Sequence, residues 1–219
     1  MNTLVEIVRT DVFAFLENNN ELLFNERDFQ MHLTTWLRNS ANHYDDVDVE
    51  YYVPCQELKN YVWKSELRLD IVVKKDGEYC PIELKYKTKK VERKISRFDE
   101  LLDEKVIVMK NQGAQDLGMY GFWKDVKRLE MVKERFDSVK SGLSVFLTND
   151  SYYKGQPGEN SNNREYSMCG GLKSKSKRWL RETSITQSRP GFDLNKEYYI
   201  VWESVQFAGH FFSYCMIEI

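Results

Sequence analysis

Asp70, Glu83 and Lys85 have the types and spacing to do chemistry. Asp70 lies in Leu67-Arg68-Leu69-Asp70-Ile71-Val72-Val73, and the other two lie in Pro81-Ile82-Glu83-Leu84-Lys85. Both segments read as strands. Side chains alternate along a strand, so Glu83 and Lys85 project from one face. A turn at Lys75-Asp76-Gly77-Glu78 predicts a hairpin, which sets Asp70 beside them. Two carboxylates and an ammonium then converge. Hard carboxylate oxygens suit Mg²⁺ or Mn²⁺. Such a metal lowers the pKa of a bound water and neutralises charge on a phosphate. A lysine two residues on can orient that water or stabilise the charged transition state. The chemistry is phosphodiester hydrolysis. The competing reading is a solvated hairpin face, where a Glu–Lys pair is worth little. An acidic-x-Lys tripeptide alone is weak, since the chain has five. Only residues 83–85 sit in an apolar strand directly after an Asp-bearing strand, where an unpaired charge is costly.

The elements that must position these residues follow from periodicity. Residues 3–17 place Leu4, Ile7, Val8, Val12, Phe15 and Leu16 on one stripe of a helix. A second helix starts after Asn25, which can cap it; Asp28 is its third residue, and Phe24 can staple to Phe29. Val47, Val49 and Tyr51 alternate as a strand. The spacing of Ile95, Phe98, Leu101 and Leu102 predicts a charged helix over 90–104, and that of Phe122, Val126, Leu129, Val132 and Phe136 another over about 122–139. There, Asp125, Leu129 and Glu130 read as ordinary amphipathic patterning. A buried strand is predicted at 143–148, a long polar loop region at 149–197, and a hairpin turning at Ala208-Gly209 within 198–219. A single domain with its core over about 22–150 and an α/β layered architecture is expected.

On Glu26, Asp70 and Glu83-Leu84-Lys85, the chain resembles the PD-(D/E)XK nuclease superfamily over roughly residues 22–90. Leu69 stands where that motif has proline. The resemblance implies a restriction-endonuclease-like three-layer α/β/α core, with a central mixed β-sheet flanked by helices. It implies Asp70 and Glu83 as ligands of Mg²⁺ or Mn²⁺, the Leu84 carbonyl as an added ligand, Lys85 as the water-positioning residue and Glu26 as the helix glutamate that completes the site. Glu26 has a simpler explanation too, since the helix dipole favours an acid in a first turn. RecB-like branches carry Gln-x-x-x-Tyr after the lysine. Here Gln115 and Tyr120 are one residue further apart, with Gly113 and Gly118 interrupting. Gln115 is expected to bond a metal water, a phosphate or Lys85; alternatively the segment is a helix-entry turn with Tyr120 in the core.

The substrate argument rests on basic segments. Residues 85–94 hold Lys85, Lys87, Lys89, Lys90, Arg93 and Lys94 against Glu92; residues 173–181 hold Lys173, Lys175, Lys177, Arg178 and Arg181 with no acid. Clusters of this kind neutralise phosphates, and Trp179 could stack on a base. Their ordinary alternative is a solvated face. Each carries +5, so the other residues sum to −12 within the formal −2 of the 219-residue chain. Total charge excludes a polycation and conceals this layout. The expected partner is DNA, with RNA open, as is a homodimer; the rival function is a non-catalytic nucleic-acid- or protein-binding module on the same fold. Glu6, Arg9 and Asp11 interrupt the N-terminus, and no apolar run approaches the ~20 residues of a membrane span. Cys55, Cys80, Cys169 and Cys215 form no CxxC and His32, His43 and His210 no HExxH, so reduced thiols in a cytoplasmic protein are expected. No phosphate loop and no GxSxG occur.

Overall fold

The computed structural model describes residues 2–219. Helix α1 (Leu4–Asn18) opens on a reciprocal cap between Thr3 and Glu6. Helix α2 (Glu26–Arg38) is capped by the Asn25 side chain, which accepts from the Asp28 amide at 2.9 Å. Strands β1 (Asp46–Val53), β2 (Leu67–Lys75) and β3 (Glu78–Lys87) follow as an antiparallel meander. A ribbon comes next, built from β4 (Val91–Arg93), β5 (Ser96–Arg97), β6 (Glu100–Leu101) and β7 (Val106–Met109). Helix α3 (Gln115–Arg135) crosses to β8 (Leu143–Thr148), which pairs with β3 in parallel. The segment after it holds β9 (Gly171–Lys173), β10 (Ser176–Lys177), the short α4 (Ser184–Gln187), β11 (Phe192–Asp193) and β12 (Tyr198–Ile200). Strands β13 (Glu203–Phe207) and β14 (His210–Glu218) close the chain.

The central sheet runs β1-β2-β3-β8-β14-β13, with β3–β8 its parallel pair. Its side chains divide between two cores, and β2 changes face at Asp70, between Leu69 and Ile71. Ile71, Ile82, Leu84, Tyr86 and Val145 pack under α1 and α2 on one face. Leu69, Val72, Phe146 and Cys215 meet Phe122, Trp123, Val126 and Leu129 of α3 on the other. Helices thus cover both faces of a mixed six-stranded sheet. Among the described residues no helix is long and apolar enough to cross a membrane, and all four cysteines are free.

Three expectations need correction. Residues 90–104 are a β-ribbon, not a helix. Pairing of β4 with β7 buries Val91 and Met109 at its root, while Phe98 and Leu101 stay exposed, so the apolar residues of the expected helix do not share a buried face. Helix α3 begins at Gln115 and not near 122. Its two early glycines are close-approach sites: a Cβ on Gly118 would stand 2.5 Å from the Tyr153 hydroxyl, and one on Gly121 would touch the Lys85 stem at 3.5 Å. Finally, residues 149–197 are not an unstructured loop. Tyr153, Tyr166, Met168, Phe192 and Leu194 are buried against α3, and β10–β11 and β9–β12 pair within that layer.

Because the ring of Tyr153 is fully buried, it cannot swing away from an added methyl group. Gly118→Ala is therefore expected to lose about 1–3 kcal/mol to overpacking, outweighing the ~1 kcal/mol that alanine gains in a helix. The shift of the urea midpoint measures the balance.

Candidate active site

Strands β2 and β3 pair from Lys75–Glu78 to Ile71–Ile82 and then part. Beyond that point β2 stays with β1, and β3 stays with β8 through Lys87–Thr148. One edge of β3 is left without a strand. Buried backbone amides need acceptors, and two carboxylates supply them. The Leu84 amide donates to Asp70 Oδ2 at 2.6 Å, and the Tyr86 amide donates to Glu26 Oε2 at 2.9 Å. Gln30 of α2 holds the fork open, its Nε2 donating to the Asp70 carbonyl at 2.7 Å and to Glu50 Oε1 at 3.1 Å.

Glu83 and Lys85 project from β3 toward α3, as their alternation with Leu84 and Tyr86 requires. The Asp70 and Glu83 carboxyls are close enough to act on each other's ionisation. Lys85 Nζ donates to the Leu84 carbonyl at 3.0 Å and lies 3.9 Å from Glu26 Oε1. Its nearest carboxylate belongs to Asp125 of α3, 2.7 Å away, an ionic contact off the direction of a good hydrogen bond. Arg128 approaches the other Asp125 oxygen at 3.5 Å. Glu83 is only 3% exposed, and its Oε1 has no hydrogen-bond partner.

Burial, reinforced by Asp125 and opposed by Lys85 and the Leu84 amide, pushes the Asp70 carboxyl up from 3.8 to about 6. Glu83 is raised well above the usual carboxylate range, first by burial and then by Asp125 and Asp70. For Lys85, burial disfavours the charge, but Asp125, Glu26, Asp70 and Glu83 together outweigh it and hold the ammonium.

This donor set fits a hard divalent cation. Asp70 and Glu83 offer neighbouring carboxylates, Glu83 Oε1 is an orphaned buried acceptor, and the Leu84 carbonyl follows Glu83 in the chain. Among the described residues no three His, Cys, Asp or Glu side chains close on one point, so two carboxylates and a carbonyl are the set to consider.

The structure brings Glu26, Asp70, Glu83, Leu84 and Lys85 together and separates the others. Gln115 does not reach Lys85; its Nε2 donates to Asp150 Oδ2 at 3.3 Å. Tyr120 is core, its hydroxyl accepting from Trp63 Nε1 at 2.7 Å. Lys87 is half-buried at the end of β3, Lys89 is 3.4 Å from Asp150, and Lys90 is 2.7 Å from Glu92. In the second basic segment Lys175 is exposed, Lys173 donates to Cys169 Sγ at 2.9 Å, and Arg178 pairs with Asp193 at 2.7 Å. Lys177 corrects the expectation outright. It is fully buried over the Trp123 ring, donates to the Ser174 carbonyl at 2.6 Å, and is pulled down to about 8 by burial. It cannot meet a phosphate from solvent. Trp179 is likewise occupied, stacked on Tyr120 and donating to the Arg189 carbonyl, so no base can use it.

Asp125 is the site residue that sequence reasoning missed. The signal was present: it falls between Phe122 and Leu129 on the buried stripe of α3, where a charge needs a partner.

Comparison with protein-family models, with curated proteins and with solved structures gives no match to the chain.

The raised carboxyls set a pH dependence. Both bind protons more tightly folded than unfolded, so without metal the protein is expected to lose stability as pH rises, the Asp70 part from about 4 through 6. The Asp70 part amounts to on the order of 3 kcal/mol at most. Asp70→Asn, which can still accept from the Leu84 amide, should flatten that slope, and Mg²⁺ should reverse it in the wild type. Urea midpoints between pH 4 and 8, with and without Mg²⁺, would decide; a wild-type slope equal to that of Asp70→Asn would refute the assignment.

Proposed function

We propose that this chain is a divalent-metal-dependent nuclease that hydrolyses DNA phosphodiester bonds, on a restriction-endonuclease-like arrangement of its α/β core. One observation carries the reading. Glu26 and Asp70 have a structural task, because each replaces a missing strand at the edge of β3. A mere binding module on this fold would need them as well. Glu83 has no such task. It is buried, beside two other carboxylates, with an unpartnered oxygen. Folding alone gives no reason to keep it, whereas a cation held with Asp70 does.

Asp70, Glu83 and the Leu84 carbonyl would hold Mg²⁺ or Mn²⁺. Bound there, the ion would supply Lewis-acid polarisation of the phosphodiester and a lowered pKa for a bound water. Lys85 stays protonated, so its role is donor and counter-charge rather than base: it orients the attacking water and offsets charge on the phosphate. Asp125 fixes the ammonium from the α3 side. Glu26, 40% exposed and 3.9 Å from Lys85, is placed to take a proton at the rim. Lys87, Lys89 and Lys90 lead away along β3 and beyond, where a strand held in the site would run.

Purified protein is expected to cleave linear or circular DNA with Mg²⁺ or Mn²⁺ and to stop with EDTA. Lys85→Ala and Asp70→Ala should each reduce the rate about 10²–10⁴-fold, with far-UV circular dichroism showing retained fold. Cleavage by both variants at the wild-type rate would refute the proposal, and an RNA substrate in the same assay tests the sugar preference.

A further inference from the structure

The ribbon from Val91 to Met109 ends in an exposed ring that the fold does not use. Strands β5 and β6 pair as Ser96–Leu101 and Arg97–Glu100, so Phe98 and Asp99 form a two-residue turn. Both are left-handed, with φ of 52° and 65°. Turns of that kind favour Asn-Gly, since a bulky side chain at positive φ is strained. Phe98 accepts the strain and buries nothing, being 99% exposed. Strain and full exposure together at an aromatic residue point to contact with something outside the chain.

Position indicates what it meets. Arg97, next to the turn, lies over the Phe24 ring at 5.2 Å, and Phe24 is two residues before Glu26. The tip therefore stands beside the helix end that forms the rim of the site. Its outgoing strand continues the basic run that starts at Lys85, with Lys94 and Arg97 exposed. Asp99 of the turn and Glu100, Asp103 and Glu104 of the returning side, against Lys105 alone, make that flank acidic, which would repel a phosphate chain. A strand passing the arm is thus confined to the outgoing flank, with its bases toward the tip. Aromatic rings stack on unpaired bases of any sequence.

We propose that this ribbon is a substrate-gripping arm, whose Phe98 ring stacks on an unpaired base of a nucleic-acid strand entering the site. The inference rests on the nuclease reading and refines it: single-stranded DNA, or duplex with frayed or flapped ends, is the preferred substrate class.

The test uses full-length protein. On the Lys85→Ala background, which keeps strands intact, binding of fluorescein-labelled single-stranded DNA and of a blunt duplex is followed by anisotropy. Adding Phe98→Ala should weaken single-strand binding about tenfold and change duplex binding less than twofold. Equal loss on both, or none on either, overturns the proposal. So does a dimer that sedimentation shows to dissociate with Phe98→Ala, since a second copy would then be the occupant. Phe98→Gly should raise the melting temperature by relieving the turn; a lower one would mean that the ring serves the fold, and would overturn the argument. The two readings separate cleanly. If wild-type protein cleaves DNA and Phe98→Ala cleaves and binds identically, the arm fails and the nuclease stands. If wild type binds single strands through Phe98 but never cleaves, the nuclease reading fails and the grip stands.

Discussion

The parting of β2 from β3 after the Ile71–Ile82 pair is the constraint on which the site depends. A strand in the middle of a sheet cannot leave its amides without acceptors. Here the acceptors are carboxylates from a neighbouring strand and a helix end. Backbone satisfaction thus draws negative charge to one point, and chemistry can use what the fold has already gathered. The opening is held from outside as well. Between the pairs Val49–Ile71 and Tyr51–Leu69, Glu50 of β1 adopts φ of 52°, and Gln30 joins that distorted edge to the Asp70 carbonyl.

Lys85 balances this concentration of acid, and α3 makes the balance rigid. Gly121 lets the helix approach the lysine stem, and Asp125 meets its ammonium. Arg128 then ties Asp125 to the segment before β2, donating to the Tyr61 hydroxyl and to Ser65 Oγ, both at 2.8 Å. A chain of buried polar contacts therefore runs from the 61–65 segment through α3 to the fork. In a low-dielectric interior such networks hold one geometry when each member is satisfied. Here Glu83 Oε1, Asp125 Oδ2 and Arg128 Nε lack hydrogen-bond partners, so the network is satisfied only in part.

Much of this was legible in the residues. Alternation in 81–85 set Glu83 and Lys85 on one face of β3, whereas in 67–73 it breaks at Asp70, with Leu67 and Leu69 on the α3 face and Ile71 and Val73 on the other. The Asn25 cap and the Ala208-Gly209 hairpin were equally readable, since their chemistry is local. What was not legible depended on distant partners. The ribbon at 90–104 has helical spacing, and only pairing between β4 and β7 overrides it. Gly118 read as an interruption until Tyr153 is seen to need the room. Lys177 belongs to a basic run by sequence, but the Trp123 ring claims it in space. Asp125 looked like half of a helical charge pattern: its place on the buried stripe of α3 was readable, but its partner on β3, Lys85, was not.

The parallel pairing of β3 with β8 also orders events during synthesis. Strand β3 ends at Lys87 and its second neighbour starts only at Leu143, with the ribbon and α3 between them. A growing chain therefore carries Glu83 and Lys85 on a strand with an open edge well before β8, which seals that edge, leaves the ribosome. Contacts so far apart in sequence form late, and an uncovered apolar edge in the meantime invites association with other chains. The β1–β3 meander with α1 and α2 must wait in that state until Thr148, well into the second half of the polypeptide, has been made.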